Sequence, residues 1–286
     1  ACGVTMAEVQ RVLCPGGVAY VRLQGQWNRS VKPRPDEIDD WTHYLYDASN
    51  NAVADDSVVG PPRRMQWLGS PRYSRHHDRM SSVSAVVSAG GRVFYIFDES
   101  PPASILTAPK WTLIARDAFN GTVLWKRDID RWHTHLWPLK SGPQLMARRL
   151  VAMADRVYVT LGFNAPLTAL DAATGRTLMS YPGTEFTDEV LYRDGTLILS
   201  VNTAAQGPGR LAAKPPVGKV VMAVNAPSGE VLWKTDGFVG MASKADAIER
   251  VTHLSLVAGD ERVFCVEEDA VVALDLNSGE RMWRVE

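Results

Sequence analysis

One phrase recurs four times in this chain: an apolar run, an Asp or Asn, three residues, a Gly, three more residues, and a Trp or Met. The copies occupy 113–125, 167–179, 221–233 and 271–283, which sets Asp117, Asp171, Asn225 and Asp275 apart by 54, 54 and 50 residues. A period of that size belongs to arrays of propeller blades, in which each repeat is one small sheet unable to bury its faces alone.

Each copy reads as two short strands joined by a tight turn. The Asp or Asn can bond its own backbone two residues on, and Gly121, Gly175, Gly229 and Gly279 supply the positive φ that such a turn needs. Upstream of each copy lies another strand pair. Residues 90–98, 154–162, 194–202 and 260–268 run apolar behind a Gly or Asp turn, and a further apolar strand precedes each of them. The expected fold is therefore mainly β, a β-propeller built from four-stranded antiparallel blades, with four blades over 81–286. Trp125, Trp233 and Trp283, with Met179 as the exception, should fill the space between adjacent sheets as packing residues.

The same phrase resembles the repeat of quinoprotein-like propellers, a group that includes pyrroloquinoline quinone dehydrogenases and the scaffold lipoproteins of outer-membrane assembly. The likeness runs from about residue 81 to the C-terminus. It implies a ring of seven or eight blades, so that 81–286 would be part of a larger ring in a longer bacterial protein. It also implies a periplasmic or cell-envelope setting, and pyrroloquinoline quinone as the cofactor if the chain is an enzyme. Cys2, Cys14 and Cys265 are far apart and form no Cys-Cys dipeptide, which counts against a methanol-dehydrogenase type of site.

The N-terminus has a different character. Met6, Val9, Val12 and Leu13 fall at helical spacing, a Pro-Gly-Gly stop follows, and Val18 to Leu23 reads as a strand, giving a short α/β segment. Glu8, Arg11, Val12, Leu13, Pro15, Gly16 and Gly17 resemble a late helix-turn-strand of class I S-adenosylmethionine-dependent methyltransferases. That likeness implies a domain end at 1–26 and methyl transfer by a fused upstream domain. Residues 27–80 form a connector of sharp charge polarity, acidic over 36–56 and Arg-rich over 63–79. Its aromatic and aliphatic content, including Trp41, Tyr44, Tyr46 and Trp67, exceeds what a disordered linker carries, and 58–67 should pack as an extended stretch against the first or last blade.

A net charge of −1 gives no bulk attraction to nucleic acid, and no apolar run is long enough to span a bilayer. The longest insertions, at 99–110, 128–148, 203–219 and 237–252, all belong to the end of the propeller opposite the Asp-x-x-x-Gly turns, which marks that loop face as the binding surface. There the unusual side chains gather: His76, His77 and Asp78 before the first blade, and His133, His135 and Lys140 after it, with His253 opening the fourth. Imidazole can line a channel mouth, shuttle protons or hold a metal, but the H-x-H spacing alone assigns no metal site. His76, His77, Asp78, His133, His135 and Lys140 are the expected cofactor- or ligand-binding set, and no catalytic residue is assigned. The expected function is a binding or scaffold propeller whose loop face takes a protein, a polysaccharide or another domain of the same chain. A quinone-dependent oxidoreductase is the alternative, and the shared fold does not decide between them.

Overall fold

The computed structural model describes residues 4–58, 60–61, 63–70, 82–101, 107–132, 144–203, 218–242 and 252–286. Each copy of the repeat is a four-stranded antiparallel sheet with its strands in chain order. The first comprises β3 (Val83–Ala89), β4 (Arg92–Asp98), β5 (Trp111–Asp117) and β6 (Val123–Asp128), and the second β7 (Leu150–Met153), β8 (Arg156–Thr160), β9 (Leu167–Asp171) and β10 (Thr177–Ser180). The third comprises β11 (Thr187–Arg193), β12 (Thr196–Asn202), β13 (Gly218–Asn225) and β14 (Val231–Val239), and the fourth β17 (Ser255–Ala258), β18 (Arg262–Val266), β19 (Val271–Asp275) and β20 (Arg281–Val285). The inner strands β3, β7, β11 and β17 contact one another in succession, as the first strands of propeller blades do around their axis. Middle strands such as β5 and β13 are buried almost throughout, because neighbouring blades cover both of their faces.

The repeated turn works as the sequence predicts. Gly121, Gly175, Gly229 and Gly279 have φ of 74°, 70°, 78° and 70°. Asp117, Asp171 and Asp275 each accept backbone N–H bonds from the second and third residues that follow, closing the turn from within.

The turn also receives a clasp from the element before it. Trp125 stacks on Gly175 and donates its indole N–H to the Ala172 carbonyl at 3.0 Å, and Trp233 does the same to Gly279 and Leu276 at 2.8 Å. Trp67, from the connector, sits on Gly121 and donates to Ala118 at 2.8 Å, so the connector packs on the first blade as expected. Where the repeat has Met179, its sulfur covers Gly229, and the buried Tyr181 donates its hydroxyl to the matching carbonyl of Ala226 at 2.7 Å. Two side chains there share the work of one indole.

Residues 41–50 plug the axial side of the blades. A propeller's inner strands expose unpaired N–H and C=O groups toward the axis. Here Trp41 exchanges bonds with Ser88 of β3, the Ala152 N–H of β7 donates to Thr42 at 2.9 Å, and the Ala258 N–H of β17 donates to Ala48 at 2.8 Å. On β11, the Tyr192 N–H donates to His43 Nε2 at 2.9 Å. The plug thus bonds to the inner strand of each of the four described blades. Tyr46, Asn50 and Ala52 hold positive φ within or beside it, a local strain that these bonds offset.

His43 is buried and pushed down to about 4 by that burial, against a small opposing effect of Asp47. Its Nε2 must stay unprotonated to accept from Tyr192, while Nδ1 faces the Thr42 hydroxyl at 2.7 Å. A folded-state value below the unfolded 6.5 means that the stabilisation is complete above about pH 6.5 and is lost as pH falls toward 4. We expect up to about 3 kcal/mol to disappear over that window, and His43→Gln to flatten this part of the stability profile in urea titrations at pH 7, 5.5 and 4.5. Parallel profiles for the two proteins would contradict this.

At the N-terminus, helix α1 (Met6–Val12) is capped by Thr5 and followed by a hairpin of β1 (Val18–Leu23) and β2 (Gln26–Val31). The helix forms as the spacing predicts, but its apolar residues are not buried: Val12 is exposed, and none of the helix residues is buried. The attachment is polar instead, through Gln10 to Ser30 and Lys32 to the Leu13 carbonyl.

Candidate functional site

The Asp-x-x-x-Gly turns lie at one end of the blades, and the described ends of the 2–3 connections and inter-blade segments lie at the other. His76, His77, Asp78, His133, His135 and Lys140 all lie outside the described residues. His253 is described; it pairs through β16 (Thr252–His253) with β15 (Met241–Ala242) at the mouth of the fourth blade. Among the described residues no group of three His, Cys, Asp or Glu is placed to hold a metal ion.

Two features occupy this face. The first is a cleft between the first and second blades, floored by the buried Trp111, Ile129 and Trp132 and rimmed by the exposed Lys110, Asp128, Asp130 and Arg131. Its wall is built by the inter-blade segment pairing with the next blade: Asp130 N–H donates to Leu161 and Phe163 N–H to Arg131. Arg131 takes a φ of 36° to make that pairing.

The second is a buried ionic cluster where the inner strands of blades two to four begin. Arg148 pairs with Glu189, and Lys219 pairs with Asp188 and donates to Asn202 Oδ1. Glu189 also accepts the Leu256 N–H at 3.0 Å, so it ties the second blade's entry to the fourth blade's inner strand. Arg149 is held between the Trp132 and Phe163 rings and donates to the Phe163 carbonyl at 2.6 Å. Asp188 Oδ1, Arg149 Nε and His253 Nδ1 are buried with no hydrogen-bond partner.

Burial dominates the protonation equilibria. It pushes Glu189 up to about 7 despite Arg148, brings Arg149 down to about 10, and lowers Lys219 against the opposing pull of Asp188. His253 is lowered by burial and then by Arg148, which favours neutral imidazole. Only His253 of this cluster was singled out by its residue type. The available signal for the others was a charged side chain at the start of an apolar strand, as in Asp188, Glu189 and Lys219.

The described residues of this cluster do not form a quinone cradle. The plug fills the axial side, and Tyr44 packs its ring under Arg148 at 5.4 Å. Lys219 and Arg148 are bound to carboxylates, and Arg149 is enclosed by aromatic rings and a carbonyl.

The family model described as outer membrane protein assembly factor BamB matches residues 109–286, the last three blades and the outer half of the first. The chain belongs to this family. No curated protein matches it. Among solved structures, the quinohemoprotein alcohol dehydrogenase from Comamonas testosteroni is similar at 14% identity and a TM-score of 0.49, over 86% of this chain and 41% of that one. A europium-containing methanol dehydrogenase is similar at 10% identity and 0.49, over 87% and 49%. BamB from Moraxella catarrhalis is similar at 15% identity and 0.31, over 70% and 59%. The chain thus spans less than half the length of either dehydrogenase. The BamB-family match begins within the first blade, and the methyltransferase likeness of the N-terminus finds no support among these proteins.

Proposed function

We propose that this BamB-family propeller is a binding or scaffold domain that presents its loop face to a protein partner. The observation that carries this reading is the cleft between blades one and two. Its apolar floor and mixed-charge rim suit a polypeptide segment, whose backbone and side chains offer both signs and both hydrogen-bonding roles. The plug leaves the opposite, axial side closed, which concentrates accessible chemistry on the loop face. A family described by an outer membrane protein assembly factor is consistent with a protein-binding role.

The second reading, a pyrroloquinoline quinone oxidoreductase, rests on resemblance and on His76, His77, Asp78, His133, His135 and Lys140. Calorimetric titration with the quinone and calcium separates the two. We expect no saturable heat, and a fold unchanged when the four His residues are replaced together. Micromolar binding that those replacements abolish would put the oxidoreductase first. In the positive direction, a partner captured by the wild type should be lost with Asp130→Arg/Arg131→Glu.

A further inference from the structure

The plug takes the same N–H from each of the four blades. Ser88, Ala152, Tyr192 and Ala258 all stand four residues before the start of their blade's second strand, at Arg92, Arg156, Thr196 and Arg262. Four residues further back lies a second matched set, toward the loop face: Ser84, Arg148, Asp188 and Leu254, followed by Ala85, Arg149, Glu189 and Ser255. Charge enters this set in the middle blades alone, as Arg-Arg in the second and Asp-Glu in the third. The ion pairs there belong to two particular blades and not to the repeat.

Glu189 ties three blades together. Regular alternation would send Asp188 and Glu189 to opposite faces of β11, but the register slips between Thr187 and Glu189, and both carboxylates are buried in the cluster. One oxygen of Glu189 pairs with Arg148, ahead of the second blade, and the other accepts the Leu256 N–H of the fourth. Arg148 and Arg149 end a 3-10 turn, Gln144–Arg149, that packs against β3, β8 and β11. Arg149 then braces the cleft between blades one and two. Its guanidinium lies 5.9 Å from the Trp132 ring of the floor and 4.6 Å from the Phe163 ring, and the Phe163 N–H holds the Arg131 carbonyl on the rim. Two consecutive arginines thus join the carboxylate to the cleft.

Both members of the Glu189–Arg148 pair have a second place to go. Ser200 lies opposite Glu189 in the ladder, on the same face of the sheet, and its hydroxyl is buried with no partner among the described residues. A neutral Glu189 can donate to it. Asp188 Oδ1 is likewise buried without a partner and can receive Arg148.

We infer that Glu189 is a proton-operated latch on this cleft: as a carboxylate it fixes Arg148 and, through Arg149, the Trp132 floor, and on taking up a proton it turns to Ser200 and releases them. The inference deepens the reading of the cleft as the binding site and rests on it for any effect on a partner. The working range follows from what surrounds Glu189. Burial pushes it up to about 7, opposed by Arg148 and the Leu256 N–H and assisted by Asp188 on its own strand. Lys219 of β13 is committed to Asp188 and Asn202. Burial and then Arg148 hold His253 of β16 below its usual 6.5, and burial and then Glu189 push the Cys265 thiol of β18 up, so that it stays uncharged. Arg149 comes down only to about 10 and keeps its charge. The latch is therefore closed above about pH 7 and opens below it.

The test reads the floor with no partner present. In the 286-residue chain with indole nitrogens labelled, the Trp132 N–H, which donates to Ser84 at 2.8 Å, should move between pH 8 and pH 6 with a midpoint near 7. Glu189→Gln should hold this resonance at its low-pH position throughout, and Arg148→Met should stop its movement. His253→Asn should leave both the movement and the midpoint in place. A Trp132 resonance that stays still in the wild type, that still titrates in Glu189→Gln, or that stops titrating in His253→Asn overturns the latch. Capture of a partner at the cleft should weaken about tenfold from pH 8 to pH 6, as the ionised fraction of Glu189 falls by that factor. A titrating Trp132 without capture at any pH would strike the binding reading and leave the latch standing.

Discussion

Lys219→Met is expected to destabilise the protein by about 3–5 kcal/mol, the usual cost of leaving a buried charge without its partner. The amine is fully buried, and its stem crosses the third blade to reach Asp188 and Asn202. Methionine fills most of that volume, so the loss reports the charge and not a cavity. Asp188 would be left buried beside a carboxylate, Glu189, with Arg149 as its remaining cationic neighbour. Removing both charges with Lys219→Met/Asp188→Leu should recover most of the loss, because a buried pair contributes little net stability over an apolar replacement. Urea denaturation of the three proteins at pH 7 measures both quantities. A single-variant loss under 1 kcal/mol, or a double variant no better than the single, would show that the cluster is not organised around this pair.

Gly175→Val should cost about 3 kcal/mol. Part of that arises from forcing a β-branched residue to a φ of 70°, and part from driving its Cβ into Trp125. Gly183 provides the control, since its φ is 79° but nothing lies within 4 Å of an added Cβ. Gly183→Val therefore carries the backbone term alone, about 1–2 kcal/mol. The difference between the two variants is the clasp, and it should come with a change in Trp125 fluorescence as the indole leaves the Ala172 carbonyl. Equal losses at both positions would mean that the contact contributes nothing.

The blades were legible in the sequence because each turn demands two residue types at fixed spacing, and that demand repeats. Asp117 and Gly121 are chosen by local backbone geometry, so local pattern finds them. Tyr181 was not legible. It reaches the same carbonyl as an indole would, but from two residues further along, so a column-by-column reading sees only an irregular Met179. The plug was half legible: the aromatics of 41–46 argued against a disordered linker, but nothing in the segment names Ala152, Tyr192 or Ala258 as its partners. The ionic cluster escaped for the same reason, since Arg148, Glu189 and Leu256 meet only after three blades have assembled. Residue type drew attention to histidines, whereas most of the buried charge resides on Arg, Lys, Asp and Glu.

The plug has a consequence for the order in which the molecule is made. Residues 41–50 leave the ribosome before these four blades, yet Asn50 bonds the Leu256 carbonyl, 206 residues later in the chain. Contacts of such separation form late, after the loops they close have been shortened by local sheets. A segment synthesised ahead of these four blades is therefore among the last to dock. During translation the inner strands must wait with their axial edges open, and a chaperone or a competing strand that occupies those edges meets the blades before their own plug does.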